Sequence, residues 1–173
     1  IPEVLDGLRR HSFNGTVYPD FFRLPDPVKP VFVSRELLPG QETLLCGLGV
    51  TPIPVNHVVP TVGFLIREQR RTVLFSGDTY QTDALWQAAG DVDALQAAFI
   101  ECSFSDEMAE LARVAKHLTP ALLAEEFAKL AKPEVPVYAY HLKPRFRAQI
   151  RQELGGLGIR HLTALEEGQT LVL

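Results

Sequence analysis

The stretch that decides the fold is a pair of apolar runs, Val62-Gly63-Phe64-Leu65-Ile66 and Thr72-Val73-Leu74-Phe75-Ser76. The polar segment Glu68-Gln69-Arg70-Arg71 separates them, so the two runs predict a β-hairpin. The second run continues directly into Gly77-Asp78-Thr79, which puts a carboxylate at the end of a predicted strand. Ligands of layered α/β folds bind at strand ends of this kind.

Outward from this hairpin, strands dominate the first half of the chain and alternate with helices in the second half. Thr119-Pro120 is typical of a helix start, and an apolar stripe follows it until Pro133 ends the helix. This order predicts an α/β layered domain. The other predicted elements are a helix end over 1–11, an irregular segment or edge strand over 12–30, strands at 31–34, 42–46, 50–55, 98–102, 135–140, 159–163 and 170–173, and helices at 83–89, 106–115 and 144–154, the last stopped by Gly155, Gly156 and Gly158.

Length and composition limit the class of protein. With 173 residues the chain is long enough to bury a substantial core, and we predict a single domain over residues 1–173. A formal charge of −4 gives no general reason to expect a nucleic-acid partner, and no apolar run is long enough to span a membrane. Cys46 and Cys102 lack metal-site spacing, so we predict buried, reduced thiols in a cytoplasmic protein, with the periplasm left open.

Three side chains that can bind metal follow predicted strands. His57 comes after Val55-Asn56, Asp78 lies in Ser-Gly-Asp-Thr, and His141 follows the apolar run that ends at Tyr140. Two imidazoles and a carboxylate are ligand types that hold zinc or manganese. Taken one at a time, the histidines also fit satisfied polar residues, and Asp78 also fits a turn or a helix N-cap.

His117 is a candidate for proton transfer. It precedes the N-cap Thr119, so we expect it near the positive pole of a helix, where anions bind and a proton donor suits a departing oxygen. An exposed loop histidine is the alternative. His11 and His161 fit structural or solvated positions.

Five longer segments carry a family likeness: Val55-Asn56-His57, Ser76-Gly77-Asp78-Thr79, Phe99-Ile100-Glu101-Cys102-Ser103-Phe104, His117-Leu118-Thr119-Pro120 and Tyr140-His141-Leu142-Lys143-Pro144. With them the chain resembles the second half of the metallo-β-lactamase superfamily. Within it, the His-Leu-Thr-Pro and His-Leu-Lys-Pro segments are similar to class II cyclic-nucleotide phosphodiesterases. The fold that this resemblance implies is the C-terminal portion of a metallo-β-lactamase-like αββα sandwich.

The resemblance also implies roles for the candidate residues. His57 would belong to the first metal site, Asp78 would bridge two metals, and His141 would bind the second. His117 would contact the phosphate and protonate the leaving group. The implied reaction is two-metal hydrolysis of a 3′,5′-cyclic nucleotide such as cyclic AMP to the 5′-monophosphate, with two divalent ions, zinc or else manganese or iron.

One departure from the family pattern matters. The principal metal motif of the superfamily, His-x-His-x-Asp-His, is absent from these 173 residues. We expect the domain to lack its N-terminal part and this fragment alone to be inactive. An apolar sheet face left by the missing part would favour association, such as a homodimer. Two alternatives stay open: a related enzyme acting on another phosphodiester, such as a cyclic ribose phosphate or an RNA end, and a metal-free relative acting as a scaffold.

Overall fold

A seven-stranded mixed sheet organises the structure, a computed structural model that describes residues 1–173. Strands β3 to β9 lie side by side in chain order, and a separate two-stranded ribbon is formed by β1 and β2. The strands are β1 Pro25–Asp26, β2 Lys29–Pro30, β3 Thr43–Leu45, β4 Leu48–Pro54, β5 Val62–Glu68, β6 Arg71–Phe75, β7 Leu95–Glu101, β8 Val137–Tyr140 and β9 Leu162–Ala164.

The helices lie mainly in the second half of the chain. They are α1 Pro2–Gly7, which continues as a π-helical turn Leu8–Ser12, α2 Ala84–Gly90, α3 Ala109–Ala115, α4 Pro120–Ala128 and α5 Arg147–Gly156. Short 3₁₀ turns, Asp106–Met108 and Pro144–Phe146, precede α3 and α5. Thr119 caps α4 as predicted, because its side chain accepts a hydrogen bond from Leu122 N. None of the helices combines the length and the apolar character needed to cross a bilayer.

The sheet changes character at β6. Strands β3 to β6 pair antiparallel, whereas β6, β7, β8 and β9 pair parallel. Parallel neighbours need crossover connections, which α2, α3 with α4, and α5 supply between successive strands. The carboxyl ends of β6, β7 and β8 therefore meet at one edge, where the candidate residues Asp78 and His141 follow directly.

The main core lies between the sheet and its helices. One face of the parallel strands contributes Leu74, Ala98, Ile100 and Val137 to a cluster of 18 buried apolar residues, which also includes residues of α2, α4 and α5. The opposite face carries stacked rings. The Phe75 and Phe99 ring centroids are 4.4 Å apart, those of Phe99 and Tyr138 are 5.1 Å apart, and Phe75 and Tyr138 remain partly exposed. Both faces of this half of the sheet are therefore apolar.

The predicted hairpin is confirmed, and two glycines explain its close packing. Phe64 pairs with Phe75 across β5 and β6. At Gly77 the backbone has φ +63°, and a Cβ there would lie 2.5 Å from the carbonyl oxygen of Val62. A Cβ on Gly63 would lie 2.7 Å from the carbonyl oxygen of Ser76. The strand end that leads into Asp78 therefore requires glycine on both sides of this contact.

Two predicted strands are wrong. Residues 31–34 and 170–173 form no strand. The amides of Val31 and Phe32 donate to the carbonyls of Leu24 and Phe21, and the Phe32 ring packs at 5.0 Å against Phe13. Aromatic clustering thus replaces strand pairing in this segment. At the other end of the chain, residues 170–173 lie outside the sheet, and the carbonyl oxygen of Leu173 accepts a hydrogen bond from the Arg71 side chain at 3.1 Å.

Several boundaries and one burial prediction also change. Helix α5 runs through Gly155 and Gly156, which were predicted to stop it, and Gly158, with φ +70°, follows the helix end. Cys102 is buried as predicted, but Cys46 is exposed. Cys46 lies in the tight turn between β3 and β4 with φ +49°, where the chain reverses direction and the side chain is exposed.

Replacing Gly77 tests the close contact at the end of β6. Gly77→Ala should lower the free energy of unfolding by about 2–4 kcal/mol, because it adds both left-handed strain and a steric clash. Gly168→Ala is the matched control, since Gly168 also has a positive φ but its Cβ would meet nothing within 4 Å. Urea unfolding can be followed by the fluorescence of Trp86, the single tryptophan. An equal decrease in the free energy of unfolding for the two variants would contradict the predicted steric clash at Gly77.

Candidate metal centre

The structure brings the four predicted site residues to one edge of the sheet. Potential ligand atoms of His57, Asp78 and His117 all lie within 4.8 Å of one another. His141 Nδ1 lies 3.0 Å from Asp78 Oδ1. The ring centroid of His117 is 4.9 Å from that of His57 and 5.5 Å from that of His141. Residues separated by up to 84 positions in the chain therefore form one cluster.

Backbone hydrogen bonds join the loops that carry these residues. Tyr80 N donates to Asn56 O at 2.7 Å, which ties the segment after Asp78 to the segment before His57. His141 has a left-handed backbone, φ +62°, directly after β8. A non-glycine residue in this conformation is uncommon and is found mostly where surrounding structure holds it, often at functional sites.

The connection between α3 and α4 holds His57. Lys116 ends α3 in a left-handed conformation, φ +54°, and its carbonyl oxygen lies 2.9 Å from His57 Nδ1. Its Nζ donates to Asn56 Oδ1 at 2.8 Å. Because a carbonyl only accepts hydrogen bonds, His57 Nδ1 carries the proton and Nε2 presents its lone pair. That is the tautomer in which a histidine binds metal through Nε2.

Glu101 is a site residue that the sequence interpretation missed. Its side chain is completely buried, and Oε1 lies 2.6 Å from His117 Nδ1 and 3.0 Å from Thr79 N. The available signal was a glutamate inside an otherwise apolar strand, since a carboxylate is almost never fully buried without partners. His117 is itself buried, so the alternative of an exposed loop histidine is wrong.

A second group of potential ligand atoms, from Glu101, His117 and His141, is held together by hydrogen bonds instead. These atoms also lie within 4.8 Å of one another, but the Ser103 hydroxyl oxygen is 3.0 to 3.2 Å from one atom of each. The space between the three groups is therefore filled by Ser103. In the first group, His57, Asp78 and His117, that hydroxyl contacts only His117, so the group can serve metal binding, proton transfer or both.

Two other ionisable groups near the centre stay neutral. Burial raises the pKa of the Cys102 thiol far above its ordinary value, and the Glu101 charge raises it further, so Cys102 offers no thiolate. Burial also raises the pKa of the Tyr140 phenol; Glu101 and Asp78 add to the effect, while a hydrogen bond with Ser76 partly offsets it. The candidate metal ligands at this edge are therefore imidazole and carboxylate groups.

The donor set fits a divalent metal. Imidazole nitrogens and a carboxylate are the ligands of catalytic zinc sites. Nδ1 of His57 faces a carbonyl and Nδ1 of His117 faces a carboxylate, so both rings have the outer-shell partners that metal-binding histidines use. Asp78 is partly exposed and adjoins His141, so its carboxylate is accessible from the edge of the sheet.

Solved structures with a similar fold include several proteins from distant organisms. The metallo-beta-lactamase fold protein YhfI from Bacillus subtilis matches 90% of this chain and 61% of its own, with a TM-score of 0.69 and 15% identity. Igni18, a metallo hydrolase from the archaeon Ignicoccus hospitalis, matches 80% of this chain and 59% of its own, with a TM-score of 0.56 and 17% identity. The short form of human tRNase Z aligns with 73% of this chain over 44% of the tRNase Z chain, with a TM-score of 0.53 and 16% identity.

These similarities concern the fold, and the chain covers only part of each of these proteins. The chain spans about three fifths of the length of the first two proteins and less than half of the third. Comparison with curated protein sequences gave no match. A family model described as the beta-lactamase superfamily domain matches residues 13–141. The predicted metallo-β-lactamase-like α/β fold is thereby confirmed, whereas the cyclic-nucleotide subgroup stays a prediction. The chain belongs to the β-lactamase superfamily.

Proposed function

We propose that this chain is part of a metal-dependent hydrolase that cleaves phosphodiesters. The observation that carries the proposal is the convergence of three imidazoles and one accessible carboxylate at the edge where β6, β7 and β8 end, with a buried carboxylate behind one of the imidazoles. Such a cluster suits metal binding and proton transfer together. Hydrolase activity is also in keeping with the family and with similar folds such as the metallo hydrolase Igni18.

In this proposal His57, Asp78 and His141 would hold two divalent ions, zinc or else manganese or iron. Asp78 adjoins both imidazoles, which suits a carboxylate shared between two metals. When bound, such ions supply an acidified water and positive charge against the phosphate oxygens. The protein itself orients the imidazoles through contacts at Nδ1. Their Nε2 atoms and the Asp78 carboxylate remain accessible.

His117 is the proposed proton donor. Its Nδ1 lies 2.6 Å from Glu101 Oε1, so the buried carboxylate orients the ring. With Nδ1 engaged in this way, Nε2 is the atom from which a proton would pass to the leaving oxygen of a phosphodiester. This pairing supports the role that the family resemblance suggested for His117.

The substrates proposed first are 3′,5′-cyclic nucleotides such as cyclic AMP, hydrolysed to the 5′-monophosphate. This choice rests on the motifs around His117 and His141. The alternative is another phosphodiester, a cyclic ribose phosphate or an RNA end. Comparing turnover of cyclic AMP with that of bis(p-nitrophenyl) phosphate separates these substrate classes. Metal analysis of the full-length protein separates both from a metal-free scaffold.

Replacing Asp78 tests the metal site. In the full-length protein Asp78→Ala should reduce the bound metal and lower kcat/KM by about 100-fold or more, because the Asp78 carboxylate would hold both ions in the proposed site. Asp91→Ala, an exposed carboxylate at the end of α2, is the control and should retain metal and activity. Substantial turnover by Asp78→Ala with normal metal content would remove Asp78 from this role.

Replacing His117 tests the proton donor. His117→Ala should slow cyclic AMP hydrolysis by about 10²- to 10⁴-fold. Hydrolysis of bis(p-nitrophenyl) phosphate should fall far less, because nitrophenolate leaves without protonation. His161→Ala, at an exposed histidine near the far end of the sheet, controls for general loss of imidazole. The same factor of loss for both substrates would argue against proton donation.

A further inference from the structure

Ser103 occupies an unusual position behind the candidate centre. It follows Glu101 by two residues, just beyond the end of β7, and is completely buried. Its hydroxyl oxygen lies 3.0 Å from Glu101 Oε2, 3.2 Å from His117 Nδ1 and 3.1 Å from His141 Nδ1. One hydroxyl therefore contacts the carboxylate, the proposed proton donor and a proposed metal ligand.

The hydrogen-bonding capacity of a hydroxyl limits how these contacts are used. Ser103 has one proton to donate and two lone pairs with which to accept. A buried carboxylate only accepts, and charge-assisted bonds are the stronger ones, so the hydroxyl proton goes to Glu101. The lone pairs then face the two imidazoles, and both Nδ1 atoms act as donors.

The two histidines differ in how much they depend on Ser103. His117 Nδ1 has a shorter contact, 2.6 Å to Glu101, which suffices to fix its tautomer. The other neighbour of His141 Nδ1 is Asp78 Oδ1 at 3.0 Å, and Asp78 is itself a proposed metal ligand. Of these two neighbours of His141 Nδ1, Ser103 is the one that is not itself a proposed metal ligand.

We propose that Ser103 is the positioning residue of the metal centre: it holds His141 in the tautomer with the proton on Nδ1 and Nε2 free for metal, and it couples His141 to the Glu101–His117 pair. The identity of His141 as a ligand rests on the proposed function; the tautomer does not.

The backbone of Ser103 suits this role because it joins the same three segments. Ser103 N donates to Leu118 O at 3.1 Å, and Lys143 N donates to Ser103 O at 3.4 Å. The hydroxyl is thus fixed relative to the loops that carry His117 and His141. A rigid supporting group of this kind keeps ligand geometry within the narrow tolerance that metal sites need.

The chain offers a matched control for the test. Ser105 is also completely buried, but its hydroxyl has no hydrogen-bond partner. Ser103→Ala and Ser105→Ala remove the same atom at the same depth, and only the first removes contacts to the site. Ser103→Cys, which keeps a similar volume and loses the strong donor, is a second variant should Ser103→Ala fold poorly.

Two measurements on the full-length protein decide the question. Long-range ¹H–¹⁵N correlation spectra of the metal-free Asp78→Ala protein, which lacks the other partner of His141 Nδ1, report which ring nitrogen of His141 is protonated. We expect Nδ1 in Asp78→Ala alone and in combination with Ser105→Ala, and a mixture of tautomers when Ser103→Ala or Ser103→Cys is added. Zinc affinity, measured by competition with a chromophoric chelator, should fall by about 10- to 100-fold in the Ser103 variants and stay within about 2-fold in Ser105→Ala.

An unchanged His141 tautomer in both Ser103 variants, or equal losses of zinc affinity at positions 103 and 105, would overturn the proposal. If the wild type binds no zinc, the proposed metal site fails, and the tautomer measurement still decides the role of Ser103. Retained Trp86 fluorescence in the Ser103 variants shows that losses come from the site and not from unfolding.

Discussion

The arrangement of the site depends on the burial of one charge, the carboxylate of Glu101. Removing a carboxylate from water costs several kcal/mol unless hydrogen bonds replace its hydration. Four donors do so: Thr79 N, His117 Nδ1, the Ser103 hydroxyl and, at 3.4 Å, Leu118 N. They come from the loops after β6 and β7 and from the start of α4. The folded state can accommodate Glu101 only with these segments together, and that assembly is the candidate centre.

A second buried carboxylate, Glu126 of α4, supports the Asp78 loop from the other side. Its Oε2 accepts from Trp86 Nε1 at 2.7 Å and from Thr82 N at 2.9 Å. Lys129 Nζ lies 2.6 Å from Oε1 and balances the charge as an ion pair without an aligned hydrogen bond. Helix α4 therefore connects the His117 segment at its start with the segment after Asp78 along its side.

The hydrogen-bond networks around Glu101 and Glu126 occupy some side chains of the site and leave others accessible to a ligand. Glu101 and Ser103 are saturated by protein donors and acceptors, and Cys102 and Tyr140 are held neutral by burial. The groups that remain available at the rim are the Asp78 carboxylate and the Nε2 atoms of the histidines. Clusters that combine an accessible carboxylate with oriented imidazoles are suited to hard or borderline divalent cations. This division between buried support and accessible ligands is the physical basis for placing metal chemistry here.

Local patterns determined much of this protein from sequence alone: the β5–β6 hairpin, the Thr119 cap of α4, and the candidacy of His57, Asp78, His117 and His141 as residues that follow strands or precede a helix. Those features depend on neighbours within a few positions. Only the tertiary structure decided the role of Glu101 and Ser103, the exposure of Cys46, and the loss of strands at 31–34 and 170–173. The role of Glu101 and Ser103 depends on contacts with segments far away in the chain, whereas the exposure of Cys46 follows from the tight turn between β3 and β4. A glutamate in an apolar strand shows its partners only when the parallel strands align their ends, and an apolar run becomes a strand only when it pairs with another strand.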